Sequence, residues 1–235
     1  MSGAAAAPLL PRQYSEKELD VVKQIGSNIN QFRRLCGVGL VASSAVFIGV
    51  AVAQSGVPRA EVPVVKVGDR WKIEQSDRRT GIKESEFDRR VTAVTASQIE
   101  GTENNGKFVW TLELNILESS IATSSGEPKQ FAFPLEVGKK WDYKFAYVSK
   151  VTARKFRDQL DANVVAYEKV KVAAGEFDAF KIEYKGYRNN DTSGGGVRLK
   201  MTTWYAPAAR CAVKIEFDDG FENWVRQLVE FQLQP

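Results

Sequence analysis

From residue 61 to the C-terminus, apolar and polar positions alternate with a period of two. Trp71-Lys72-Ile73-Glu74, Arg90 to Thr95, Phe108 to Leu114 and Tyr143 to Val148 alternate or are rich in β-branched and aromatic residues, and each predicts a strand. The pattern continues through Val164 to Val172, Phe177 to Tyr187, Val197 to Ala206, Cys211 to Asp218 and Trp224 to Leu233. Turn-forming clusters separate these runs: Asp77 to Gly81, Asn104-Asn105-Gly106, Ala173-Ala174-Gly175, Asn189 to Gly196 and Asp218-Asp219-Gly220. Only Ala153 to Ala162 competes as a helix, through Phe156 and Leu160 at i, i+4, and it is short. The expected fold is all-β: an antiparallel curled sheet or open half-barrel.

One segment breaks the alternation. Leu35 to Ala53 is apolar and uncharged, is entered through Arg33-Arg34, and closes on Ala51-Val52-Ala53-Gln54. One-sided positive charge directs such a segment across a membrane, and Ala51-x-Ala53 suits a signal peptidase. Residues 35–53 therefore read as a hydrophobic helix, either a cleaved signal peptide or a retained inner-membrane anchor; its length, near the ~20 residues that span a bilayer, keeps the anchor open. Residues 1–34 are a lead expected to be disordered or to precede the true translation start, and 54–60 are a linker. The β-rich domain is expected over 61–235, folded in the periplasm or outside the cell, with any membrane contact confined to residues 35–53.

That domain contains an echo. Val67-Gly68-Asp69-Arg70-Trp71-Lys72-Ile73 recurs as Val137-Gly138-Lys139-Lys140-Trp141-Asp142-Tyr143, each copy with a proline just upstream, Pro63 and Pro134. Glycine permits a turn with positive φ, and the tryptophan three residues later is placed as the first inward side chain of a strand. The echo predicts an internal two-fold repeat with halves of about 61–130 and 131–235.

A second signature lies in the later half: Val170 to Ile182 around Ala174-Gly175-Glu176-Phe177, then Trp204-Tyr205-Ala206-Pro207, then Val213-Lys214-Ile215. With these motifs the chain resembles the TapB-like bacterial periplasmic proteins of unknown function. The resemblance implies an unclosed half-barrel similar to lipoprotein-carrier folds, and no reaction. Ala208-Ala209-Arg210-Cys211 departs from it, standing where a glycine-containing turn is expected.

Composition removes several chemistries. The chain has no histidine, so the commonest general base and metal ligand is missing. Beyond residue 53 there is one cysteine, Cys211, which rules out an internal disulfide there and a cysteine-built metal centre. Five of the 33 basic and three of the 29 acidic residues precede Gln54, leaving a net charge of +2, too little to suggest nucleic acid. Acidic pairs (Glu84 with Glu86, Glu216 with Asp218) and Asp218-Asp219-Gly220 with Glu222 read as turn and strand-face residues rather than as acid/base or calcium sites. The expectation is a non-enzyme without cofactor or metal. Two functions remain. In one, the curved sheet holds an apolar or lipid-like ligand lined by Trp71, Trp141, Trp204 and Tyr205. In the other, the domain is a structural or protein-interaction module of the cell envelope, its concavity filled by its own side chains.

Overall fold

The computed structural model describes residues 58–235. The lead 1–34, the apolar segment 35–53 with its expected helix, and linker residues 54–57 lie outside the described residues. Fourteen strands follow: β1 Arg59–Ala60, β2 Arg70–Asp77, β3 Lys83–Val94, β4 Gln98–Glu103, β5 Gly106–Thr111, β6 Ile116–Glu118, β7 Ala122–Ser124, β8 Leu135–Glu136, β9 Lys140–Ser149, β10 Lys155–Val172, β11 Gly175–Asn190, β12 Gly196–Ala206, β13 Cys211–Asp218 and β14 Asn223–Gln232. Among the described residues the only helical element is a short 3-10 turn at Pro207–Ala209, and residues 155–162 of the helical competitor are strand.

The half-barrel expectation is corrected. Twelve antiparallel strands form a closed barrel, in the order β10-β11-β12-β13-β14-β2-β3-β4-β5-β6-β7-β9, with β9 returning to pair with β10. Two junctions close it: β14 on β2, from Trp224↔Asp77 to Gln232↔Arg70, and β7 on β9, from Ala122↔Ser149 to Ser124↔Tyr147. Closure satisfies the backbone edges that a half-barrel would leave open. Alternation fixes which face of a strand is buried, but carries no information on which edges meet.

The two echoed turns are built alike. Gly68 (φ 93°) donates its N–H to Val91 O, and Val91 N–H returns to Asp69 O; Gly138 (φ 95°) bonds Val164 O, and Val164 N–H returns to Lys139 O. Directly after each valine the strand slips register, between Val91 and Ala93 and between Val164 and Ala166. Each bulge bends its strand where the barrel turns its corner.

A barrel of twelve strands has a lumen wider than its own inward side chains fill readily. Here a strap enters it. β1 and β8 pair with each other, Ala60↔Leu135, and bring Leu135, Ala60 and Val65 into the core. Around them pack Trp71, Phe108, Phe180, Ile182, Tyr184 and Tyr205, all at most 1% exposed. The outer wall is charged: Arg70 meets Asp88 at 2.6 Å and Lys72 meets Glu86 at 3.0 Å across β2 and β3. A lipid-facing barrel wall carries an apolar band instead. No helix among the described residues is long and apolar enough to cross a membrane.

Candidate functional site

The inward side chains form two sets, one apolar and one built on arginines. Around the strap, contacts are apolar with single polar anchors. Trp71 Nε1 donates to Ala209 O at 2.8 Å, Trp141 Nε1 to Lys129 O at 2.9 Å, and Tyr184 Oη to Gln130 O at 2.7 Å. Each tie lets an aromatic side chain bury its ring without orphaning its polar atom.

The four residues named from sequence as ligand-lining do not form one surface. Trp71 lies inside against Trp110, with ring centroids 6.0 Å apart. Tyr205 also points inward, 5.5 Å from Phe131 and 5.2 Å from Phe133 of the strap. Trp141 is half-buried and meets Tyr184 edge-on at 6.2 Å. Trp204 shares a face with outward Lys181 and Lys214, opposite to Tyr205. It lies between these two cations, Lys214 at 4.7 Å and Lys181 at 5.4 Å, and donates Nε1 to Glu168 at 2.8 Å. Adjacent strand residues must diverge in this way. The loop after Trp204-Tyr205 needs no glycine, because Arg210 itself adopts φ 53° while its Nη1 holds the buried Asp69 at 3.0 Å. Cys211 is buried, and burial raises its thiol pKa well above the usual range.

The lumen also holds a feature the sequence reading missed: three arginines in phase with apolar inward residues, Arg89 standing directly across from Trp71. Arg89 lies between Phe87 and Val91, Arg188 follows Tyr184, and Arg226 stands between Trp224 and Leu228. A charge on the apolar phase of a strand was the available signal. Arg89 Nε meets Glu103 at 2.6 Å, and Ser120 adds N–H and hydroxyl donors to the same carboxylate. Burial works against ionised Glu103, but Arg89 and Ser120 outweigh it and hold its pKa below the usual range. Arg188 makes a two-pronged pair with Asp158, both contacts 2.8 Å, and faces Asp219 at 3.6 Å. Arg226 differs. It donates Nε to Gln75 at 2.8 Å and lies 4.4 Å from the Phe87 ring and 4.5 Å from the Trp224 ring. No carboxylate among the described residues lies within 4.0 Å of it. Burial, with Arg89 close by, lowers its pKa to about 10.

Two cavities adjoin this packing. A groove of about 530 Å³ runs along β9, β10 and β11 beside Trp141, Asp142, Asp161, Asn163, Glu183 and Lys185, so that Trp141 alone of the four sequence-named residues borders it. A smaller hollow of about 220 Å³ sits near the β2–β3 and β13–β14 turns, beside Asp77, Glu84, Phe221 and Trp224. The acidic residues near these turns serve the loops: Asp219 Oδ1 accepts the N–H groups of Phe221 and Glu222, and Asp77 Oδ1 those of Arg79 and Thr80. No cluster of three or more metal-ligating side chains occurs among the described residues.

No protein-family model matches the chain, and no curated protein matches its sequence. Solved structures do. A protein of Parabacteroides distasonis described as a lipoprotein is similar at 14% identity and a TM-score of 0.51, over 74% of this chain and 99% of that one. An exported protein with a YmcC-like fold from Bacteroides fragilis is similar at 15% identity, with the same TM-score and coverage. At these identities the likeness is one of fold.

Proposed function

We propose that this protein is a non-enzymatic component of a bacterial cell envelope, a structural or interaction module whose barrel is filled by its own side chains. The observation that carries this reading is the fate of the inward aromatics. Trp71 and Tyr205, the residues best placed to line an apolar cavity, are consumed by Trp110, the Ala209 carbonyl and the strap phenylalanines. The envelope location draws on the apolar segment 35–53, on the resemblance to TapB-like periplasmic proteins, and on the fold shared with proteins described as exported or as a lipoprotein. The rival function, carriage of an apolar or lipid-like ligand, requires the strap to leave the lumen.

A fluorescent fatty acid titrated into the protein separates the two. A filled barrel gives no saturable uptake at tens of micromolar. Saturable uptake that Tyr205→Ala alters would establish the carrier and reject this proposal.

A further inference from the structure

The groove along β9, β10 and β11, about 530 Å³, has the size of a small-molecule site. It lies on the outer wall, beside the bulge between Val164 and Ala166 that bends β10. Its outward side chains stand in two lateral rows: Asp142, Asp161 and Lys185, then Lys140, Asn163 and Glu183. With strands ~4.8 Å apart and alternate residues ~7 Å apart, these groups share a patch roughly 10 Å by 7 Å. Lys185 meets Glu183 at 2.6 Å, and the other four groups are unspent. Asp142 stands directly opposite Asp161, and like charges so placed are destabilising. Among the described residues no basic side chain comes within 4.0 Å of either carboxylate, and no carboxylate comes within 4.0 Å of Lys140. Asn163 Oδ1 is buried and accepts no hydrogen bond, one of two such side-chain atoms among the described residues. Buried polar groups are nearly always bonded, so this one lacks a donor. Trp141 borders the groove but donates its Nε1 to Lys129 O, which leaves recognition to the polar groups.

We propose that this groove binds a neutral saccharide, with Asp142, Asp161 and Asn163 accepting hydrogen bonds from its hydroxyls and Lys140 donating to them. The proposal rests on the interaction-module reading above and gives that module a ligand on its outside. The ligand class follows from the unspent groups. Three acceptors stand beside one ammonium, and the groove has little net charge. An anion would meet Asp142 and Asp161, and a simple cation would meet Lys140 and Lys185. A hydroxyl both donates and accepts, so a chain of hydroxyls satisfies both kinds of group at once. Asn163 sits between Lys140 and Glu183, its cross-strand neighbours, whose long side chains can part to admit a donor to Oδ1.

The test applies the full chain to an array of neutral oligosaccharides built from glucose, galactose, mannose and N-acetylglucosamine, with polygalacturonate and spermine as charged comparators. The best neutral binder is then titrated by calorimetry at about 50 mM and about 300 mM salt, where screening differs strongly. The variants are D142A/D161A, Asn163→Ala and a control, E176A/D178A, which removes the same charge from exposed positions on the β10–β11 hairpin. The wild type should bind at least one neutral saccharide, with an affinity that salt changes less than twofold. D142A/D161A and Asn163→Ala should each lose at least tenfold, and the control should bind as the wild type does. D142A/D161A should melt no lower than the wild type, since it relieves a like-charge pair, so its loss of binding is not a loss of fold. Absence of binding to every neutral saccharide, equal loss in the control, or salt-sensitive binding of spermine or polygalacturonate alone would each overturn the proposal. Fatty-acid uptake measured on the same samples reports the filled-barrel reading separately, so the two can fail independently.

Discussion

Two sets of inward side chains fill the lumen differently. The apolar set fills space with Trp71, Phe108, Tyr184, Tyr205 and Leu135, and ties Trp71 Nε1 and Tyr184 Oη each to one backbone carbonyl. The charged set fills space with arginines laid on aromatic rings and balanced, except at Arg226, by buried carboxylates. Apolar burial stabilises in proportion to area and tolerates small errors of position. A buried ion pair depends on both partners, and removing one leaves the other stranded. The two sets should therefore respond to substitution in different ways, and at Arg226 with opposite sign.

The largest effects come from breaking each set at its centre. Trp71→Ala should cost ~3–5 kcal/mol in urea denaturation, as expected for deleting a buried large aromatic. Trp141→Ala, the echoed but half-buried copy, should cost less; equal costs would mean that the two halves are packed alike. Glu103→Ala should also cost ~3–5 kcal/mol, because it strands Arg89. Its folded-state pKa is depressed, so the stability Glu103 supplies is present at neutral pH and disappears as pH falls through that depressed pKa. Glu103→Gln should flatten that acid limb. Arg226→Leu should go the other way, raising stability by ~1–3 kcal/mol at neutral pH by removing a buried cation without a carboxylate. Because Arg226 titrates near 10 in the fold and higher when unfolded, wild-type stability should rise as pH passes through 10, and the leucine variant should lack that rise. The smallest effect should be Tyr187→Ala, within about 0.5 kcal/mol, since its ring stands on the outer wall. A larger loss there would give this exposed ring a structural role.

The strands were legible because period-two alternation is a local signal, and the echoed turns were legible because Gly68 and Gly138 take a backbone conformation that favours glycine. Closure was not, since β7 and β9 meet across three residues whose sequences say nothing of one another. The strap was hidden for a related reason: Phe131 sits in a loop and Leu135 in a two-residue strand, both too short of periodicity to read, and only the lumen shows where they go. Trp204 and Tyr205 were expected to line one ligand surface, although strand geometry sends neighbours to opposite faces. The inward arginines carried a signal that was passed over, Arg226 standing in phase with Trp224 and Leu228.

The central claim is that the barrel is full and that recognition takes place on its outside. Native mass spectrometry of the protein isolated from its native cells tests this most directly. The expected result is a polypeptide carrying no lipid, alone or with a protein partner that dissociates as salt is raised. A lipid retained in stoichiometric amount, and released only when the fold is lost, would contradict it.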